Sequence, residues 1–389
     1  MEKINPADAA AKRYSDIEKS CAEKSKWADL SLIFALGAVS VLTLLLVWLG
    51  PQKSFSEDEN RYLQTRENID HAELADQISA MYADQFPFRH EIIKAKAYAE
   101  LALGKGENNG ILVREDTLAA KSEYSAAEKK TLLDNVSAIK RFSAILGKDG
   151  ASICFAVAPR GADMFFADRA HVARGWELLF GADHIDLRAS VKAHGNEYVW
   201  FRTDHHWTPL GAYYAYCALS GTLGYEALPI SDFRETLVSD EFFGTAWSKS
   251  GAYLTPPDKI YAFFGDDDGS YYIYNKLKGK KLDFGLYDRS KLPTKDKYSF
   301  FLGGDHGHIQ ISNGKEKPRL LVIKDSYFNS IAPFLCRHFE LDVIDLRYFS
   351  GSVCEYAKDR DFKNILILCG LDSLASAPTF TALLYKSGE

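Results

Sequence analysis

Arg319-Leu-Leu-Val-Ile-Lys-Asp-Ser-Tyr-Phe-Asn-Ser330 is the stretch on which the fold turns. It opens with an unbroken apolar run, the pattern of a strand buried on both faces in a parallel sheet. It then changes at Lys324-Asp-Ser326 into a helix-compatible segment, so Ser326 is predicted at a strand-to-helix junction. Working outward, Ser152-Ile-Cys-Phe-Ala-Val-Ala158 has the same character and is closed by Pro159. Tyr198–Phe201, Leu341–Ile344 and Asn364–Leu368 are further strand candidates. Helix-length segments separate Ile323 from Leu341 and Ile344 from Asn364, which predicts right-handed βαβ units and an α/β sandwich.

Upstream, Ser125-Ala-Ala-Glu128 has capping-box spacing and predicts a helix to about Leu146, closed by Gly147 and Gly150. A helical stretch from Ala72 to Leu103 is interrupted at Phe86-Pro-Phe-Arg89 and ends at Gly104–Gly110. The stretch from about 228 to 314 is rich in Tyr, Gly, Asp and Lys and reads as an inserted loop and hairpin region.

The chain has 389 residues, enough to bury a large core, and its ordinary hydrophobic and charged fractions exclude general disorder. A net charge of -6 gives no basic footprint for nucleic acid. The six cysteines have no zinc-type or CxxC spacing, and Cys154 and Cys369 fall inside apolar runs as small core residues. No disulfide framework is expected.

Leu30 to Leu49, LSLIFALGAVSVLTLLLVWL, carries no charge and matches the about 20 residues a helix needs to cross a bilayer. The long polar stretch before it and the Gly50-Pro51-Gln52 context after it favour an uncleaved signal anchor over a cleaved peptide. Arg13, Lys19, Lys24 and Lys26 precede the span, whereas Lys53, Arg61 and Arg66 follow more sparsely, so the N-terminus is expected inside. The expected organisation is a cytoplasmic tail (1–29), a transmembrane anchor (30–49), a stalk (50–70) and an extracytoplasmic domain (71–389).

The second informative stretch is Arg202-Thr-Asp-His-His-Trp-Thr-Pro-Leu-Gly211. Thr208-Pro209 is a helix entry, with Thr as N-cap and Pro at the first helical position. Asp204, His205 and His206 therefore fall in a loop before a helix start, where open α/β sheets place their chemistry. A serine needs a base, and the base needs an orienting group. Ser326, His206 and Asp204 supply these parts if the two loops meet.

Taken singly, each has a plainer role: Asp325-Ser326 as a helix cap, a loop histidine as a structural hydrogen-bonding group, Asp204 as a tie to loop amides. Asp305-His-Gly-His308 could add metal ligands to the Asp204–His206 group, but neither segment has helical HExxH spacing, so no metal and no other cofactor is expected. Asp266-Asp-Asp-Gly269 lacks the rest of a calcium loop.

These segments resemble the DHHW protein family, which is similar to the SGNH-type alginate O-acetyltransferases of bacterial exopolysaccharide assembly. The resemblance rests on Glu59-Asn-Arg61, Phe86-Pro-Phe-Arg89, Val157-Ala-Pro159, the Arg202–Gly211 block, Lys324-Asp-Ser-Tyr327 and Asp345-Leu-Arg-Tyr348. It implies an SGNH hydrolase-like three-layer α/β/α sandwich with a mostly parallel sheet. It also implies Ser326 as nucleophile, His206 as base and Asp204 as orienter. Lys324 stands where the wider SGNH pattern has glycine; Asn329 and Gly370 are the oxyanion candidates, and His205, Trp207, Tyr327 and Arg347 the substrate-binding candidates.

The implied activity is acetyl transfer to or from a cell-surface polysaccharide, outside the membrane. A transferase would need a partner of the membrane-bound O-acyltransferase class to supply acyl groups; a carbohydrate esterase would not. The alternatives are a non-catalytic envelope scaffold or glycan-binding protein on the same fold and, third, a metal-dependent hydrolase.

Overall fold

The computed structural model describes residues 6–56, 61–70, 73–121, 123–168, 175–179, 181–251 and 255–384. Glu59 and Asn60 of the resemblance lie outside them. The chain divides into two compact units, residues 1–93 and 94–389, a boundary later than the expected one near residue 71.

In the first unit a helix runs over Pro6–Leu49, and the expected span forms its last part. It is the one helix among the described residues long and apolar enough to cross a membrane. The segment after it is tied to helix Leu74–Asp84: Gln85 bonds both the N–H and the carbonyl of Lys53 (3.0 and 2.8 Å), and Arg61 pairs with Asp84. Phe86-Pro-Phe-Arg89 breaks the helical stretch as expected, and a second helix, Arg89–Ala102, carries the chain across the boundary.

The second unit is built on an eight-stranded sheet. Its strands in chain order are β1 (Ser152–Ala158), β2 (Ile185–Asp186), β3 (Tyr272–Asn275), β4 (Lys280–Lys281), β5 (His308–Ser312), β6 (Arg319–Lys324), β7 (Glu340–Asp345) and β8 (Asn364–Gly370). The spatial order is β4-β3-β5-β7-β6-β8-β1-β2. The β7-β6-β8-β1-β2 part is parallel, and β5, β3 and β4 extend it antiparallel beyond β7. The stretch at 228–314 is therefore no simple insert. It supplies three strands of the main sheet, because alternating residues such as Ile309 and Ile311 bury one face against the core.

Side-chain alternation makes the layers. Leu320 and Val322 of β6, Leu366 and Leu368 of β8 and Cys154 and Ala156 of β1 face one apolar cluster, packed under Ala212, Ala215, Tyr216 and Leu219 of helix Pro209–Leu223. Leu321 and Ile323, Ile365 and Ile367, and Phe155 and Val157 face the other, packed under Leu132, Val136, Ile139 and Phe142 of helix Ala126–Lys148. Continuous apolar strands buried on both faces are what that arrangement demands. The capping box forms as expected: Ser125 Oγ accepts from Glu128 N, and Glu128 accepts from Ser125 N.

Two expectations give way. Tyr198–Phe201 forms no strand; it makes one isolated antiparallel bridge, Trp200 to Trp207, because no neighbouring strand offers a ladder. After β6 the chain enters a short 3₁₀ turn, Ser326–Ser330, and a single helical turn, Ala332–Leu335, where a longer helix was expected. Parallel register aligns Lys324 with Asp345 and Leu368, and Gly370 with Ala158, so the chain leaves β6, β7, β8 and β1 at one sheet edge. Ser326 sits at that carboxyl edge.

Candidate active site

The loop bearing Asp204 is folded back on itself and clamped from below. Thr208 N donates to Val199 O (3.0 Å), Thr208 Oγ1 to Tyr198 O (2.5 Å) and Phe201 N to His206 O (3.3 Å). The buried Asp258 carboxylate accepts from Tyr198 OH (2.5 Å), Arg202 N (3.0 Å), Thr203 N (2.8 Å) and Thr203 Oγ1 (2.5 Å). Thr208 caps helix Pro209–Leu223, accepting from Gly211 N. A Cβ at residue 211 would lie 2.1 Å from Val199 O, so only glycine lets the first helical turn approach the loop this closely.

On the other side, Asp325 fixes the turn that carries Ser326. Its carboxylate accepts from Tyr327 N (3.1 Å), Gly370 N (2.7 Å) and Ser373 Oγ (2.6 Å). Burial pushes the Asp325 carboxyl up despite these donors. The residues flanking Ser326, from Leu320 to Asp325 and from Tyr327 to Ile331, are buried, whereas Ser326 itself is half-exposed.

The two loops meet. His206 Nε2 is 2.7 Å from Ser326 Oγ, and His206 Nδ1 is 2.5 Å from Asp204 Oδ1. Asp204 Oδ1 also accepts from His206 N (3.1 Å). Its other oxygen, Oδ2, accepts from Thr245 N (2.8 Å) and Thr245 Oγ1 (3.1 Å). Burial raises the Asp204 carboxyl, but the His205 and His206 imidazoles and the donors from His206 and Thr245 outweigh it and hold Asp204 well below the usual carboxylate range. A Cβ at Gly244 would overlap Asp204, at 2.3 Å from its Cβ, so glycine there allows the Thr245 amide to reach the carboxylate.

Tyr298 stacks on the His206 ring (centroids 3.9 Å apart, 9° between planes) and its hydroxyl donates to Ser326 O at 3.2 Å. The arrangement has the parts of proton relay and nucleophilic attack: a hydroxyl, a base in reach, and a buried carboxylate fixing the base.

Thr245 and Tyr298 were not anticipated. Both lie in the 228–314 stretch, and no local spacing announces them; the only available signal is that a buried carboxylate needs donors for both of its oxygens.

The other expected site residues separate into groups. Trp207 and Tyr327 are buried and engaged internally, which corrects their reading as substrate contacts. Trp207 Nε1 donates to Ser330 Oγ (3.0 Å) and Tyr327 O (3.2 Å), and Tyr327 OH donates to His205 O (2.6 Å). Gly370 N is taken by Asp325, and Asn329 accepts from Lys324 Nζ (3.0 Å) and donates to Asp305 Oδ1 (3.1 Å), so the Gly370 donor and one Asn329 side-chain donor are turned to other groups.

Lys324, at 1% side-chain exposure, is neutralised by Asp305 (2.6 Å) and Asp345 (3.3 Å). Arg347 pairs with the same two carboxylates at 2.9 and 2.6 Å. Although burial raises the Asp305 carboxyl, Lys324 and Arg347 hold it well below the ordinary range. His308 bonds Asp342 (2.6 Å) and His306 bonds Leu302 O (2.9 Å), so these two do not join the Asp204 group. Asp204, His205 and His206 alone have donor atoms close enough together, within 4.8 Å, to share an ion among the described residues.

The DHHW protein family model matches residues 184–344, a range that holds both site loops. A DHHW family protein from Eubacterium siraeum has the same fold, with a TM-score of 0.61 and 24% identity, covering 72% of this chain and 98% of that one. Bacillus cereus PatB1, in a structure with a sulfonyl adduct, is similar at a TM-score of 0.59 and 21% identity, over 69% of this chain and 97% of its own. No curated protein matches. The resemblance read from the motifs therefore holds at the level of family model and fold.

Proposed function

We propose that this chain is a membrane-anchored, extracytoplasmic serine acyltransferase acting on a cell-surface polysaccharide, with acetyl as the acyl group. The single observation behind this reading is the continuous hydrogen-bond line from Asp204 through His206 to Ser326. Ser326 Oγ attacks the donor's acyl carbon as His206 Nε2 takes its proton, and Asp204 stabilises the imidazolium that results. His206 then returns the proton to the leaving group. A sugar hydroxyl or water finally accepts the acyl group from Ser326.

The Ser326 backbone N–H, at the first position of its turn, is the natural donor to the oxyanion, since the first amides of a helical turn have no partner within it. The apolar part of helix Pro6–Leu49 supplies the anchor, with the N-terminus inside. A donor outside the membrane points to a membrane-bound O-acyltransferase partner. The scaffold reading draws support from the engaged donors of Gly370 and Asn329.

The deciding experiment mixes the full-length protein in detergent with p-nitrophenyl acetate and compares it with Ser326→Ala. The expected result is a burst of p-nitrophenol and one acetyl adduct by intact mass, both absent from the variant. Identical behaviour of the two folded proteins would replace catalysis by the scaffold reading.

A further inference from the structure

His205 has no task in the relay just described, yet its ring is built into the same hydrogen-bond line. Its Nδ1 lies 2.6 Å from Thr245 Oγ1. That hydroxyl has one proton and directs it at Asp204 Oδ2, a carboxylate oxygen that can only accept. Towards His205 the hydroxyl can therefore only accept, and Nδ1 of His205 must carry the hydrogen. In the neutral ring this leaves Nε2 as an unprotonated acceptor. His206 is in the same state for a parallel reason: Nδ1–H donates to Asp204, leaving Nε2 to accept from Ser326.

The two rings lie one over the other, with centroids 3.8 Å apart and planes tilted by 39°. Their Nδ1 atoms converge on one oxygen, Asp204 Oδ1, at 2.5 Å for His206 and 3.6 Å for His205. Both Nε2 atoms therefore turn away from Asp204. His205 is 44% exposed, and among the described residues its Nε2 has no partner. The site thus presents two neighbouring acceptor nitrogens, one engaged with the nucleophile and one open.

Resting on the acyl-transfer reading above, we propose that this pair of imidazoles recognises adjacent hydroxyls of the acceptor, one donating to His206 Nε2 as it attacks and its neighbour donating to His205 Nε2. The substrate class is a sugar or other polyol with hydroxyls on neighbouring carbons, two donors on adjacent atoms for two imidazole rings whose centroids lie 3.8 Å apart. A simple alcohol, with one O–H, can engage only the first nitrogen.

In the transfer step the attacking hydroxyl loses its O–H bond, its proton passes to His206 Nε2, and its oxygen bonds the acyl carbon. The bond from that carbon to Ser326 Oγ then breaks, and the oxygen regains the proton from His206. One ester replaces another, with no redox change and no other reactant. The interaction made by His205 favours an acceptor with a second hydroxyl over an alcohol that has only one.

The test uses full-length protein in detergent, p-nitrophenyl acetate as donor, and paired acceptors at equal hydroxyl concentration: ethylene glycol against ethanol, and methyl glucoside against cyclohexanol. Ester products are measured by mass spectrometry, and acylation separately by the p-nitrophenol burst. One added hydrogen bond predicts that wild type prefers the adjacent-hydroxyl acceptor of each pair by about 3- to 10-fold. His205→Phe is expected to bring that ratio to about one, whatever its acylation rate; His205→Asn gives the same readout if the Phe variant does not fold.

A ratio of one in wild type, or an unchanged preference in the folded variants, overturns the proposal while the Ser326-dependent burst leaves the acyltransferase reading standing. Loss of the Ser326 dependence itself overturns both.

Discussion

Thr245→Val is the most searching perturbation of the relay, because it removes one hydroxyl and keeps the side-chain volume close to native. That hydroxyl donates to Asp204 Oδ2 at 3.1 Å and accepts from His205 at 2.6 Å, while the Thr245 amide, which the substitution leaves, donates to the same oxygen at 2.8 Å. A hydrogen bond to a charged group contributes about 1.5–3 kcal/mol. With a long bond and a second donor retained, the lower end applies. About 1.5 kcal/mol lost from the orientation of His206 corresponds to roughly tenfold in acylation rate.

The assay is the p-nitrophenyl acetate burst under single-turnover conditions. The loss should fall on the acylation rate constant, with little change in apparent affinity for the ester. Thr245→Ser should restore the rate, since it returns the hydroxyl. In an Asp204→Asn background Thr245→Val should cost little more, because both act through one imidazole. A Thr245→Val rate within about twofold of wild type, or a serine variant as slow as valine, would refute the claim that Thr245 positions Asp204.

Two further predictions concern the charges around the site. Lys324→Met leaves Asp305 and Asp345 to share Arg347 alone, and breaking a buried pair from one side costs about 3–5 kcal/mol. With Arg347 still present we expect about 3 kcal/mol in chemical unfolding, and a loss below about 1 kcal/mol would contradict the pairing as described. Asp204 and Asp305 both have folded-state values held below those of an unfolded carboxyl, near pH 4. Their contribution to stability is thus complete above that pH and is lost as pH falls through the folded values. Unfolding free energy should decline from about pH 5 downward, and Asp305→Asn should make that decline shallower; an unchanged slope would remove Asp305 from the linkage.

The sheet was legible wherever a strand is buried on both faces. Ser152–Ala158 was read with its observed bounds, and three of the other four parallel strands were read within two residues at either end; the two-residue edge strand Ile185–Asp186 was not read. A strand that must be apolar on every side announces itself without reference to its neighbours. The antiparallel strands at Tyr272–Asn275 and His308–Ser312 did not, because each interleaves polar or aromatic-hydroxyl residues with its apolar ones and so shows no continuous apolar run. Tyr198–Phe201 failed for the converse reason: its aromatics pack in the core, but the order that holds it comes from the distant Asp258 carboxylate rather than from a ladder.

The same distinction explains how the site was read. Asp204, His206 and Ser326 lie at chain junctions that local signals mark: a Thr-Pro helix entry on one side and the end of a strand on the other. What holds them in place comes from the 228–314 stretch, which adds Thr245 behind Asp204, Tyr298 over His206 and Asp258 under the loop. Each contact joins residues more than 40 positions apart or crosses from one loop to another, so no window along the chain contains both partners. The stretch read as an inserted loop and hairpin region is thus the part that holds Asp204 in place, since a carboxylate accepting on both oxygens needs donors from two directions. A change confined to that stretch, far in sequence from Asp204 and Ser326, should then alter acylation as strongly as a conservative change in the motif itself. Thr245→Val measures this.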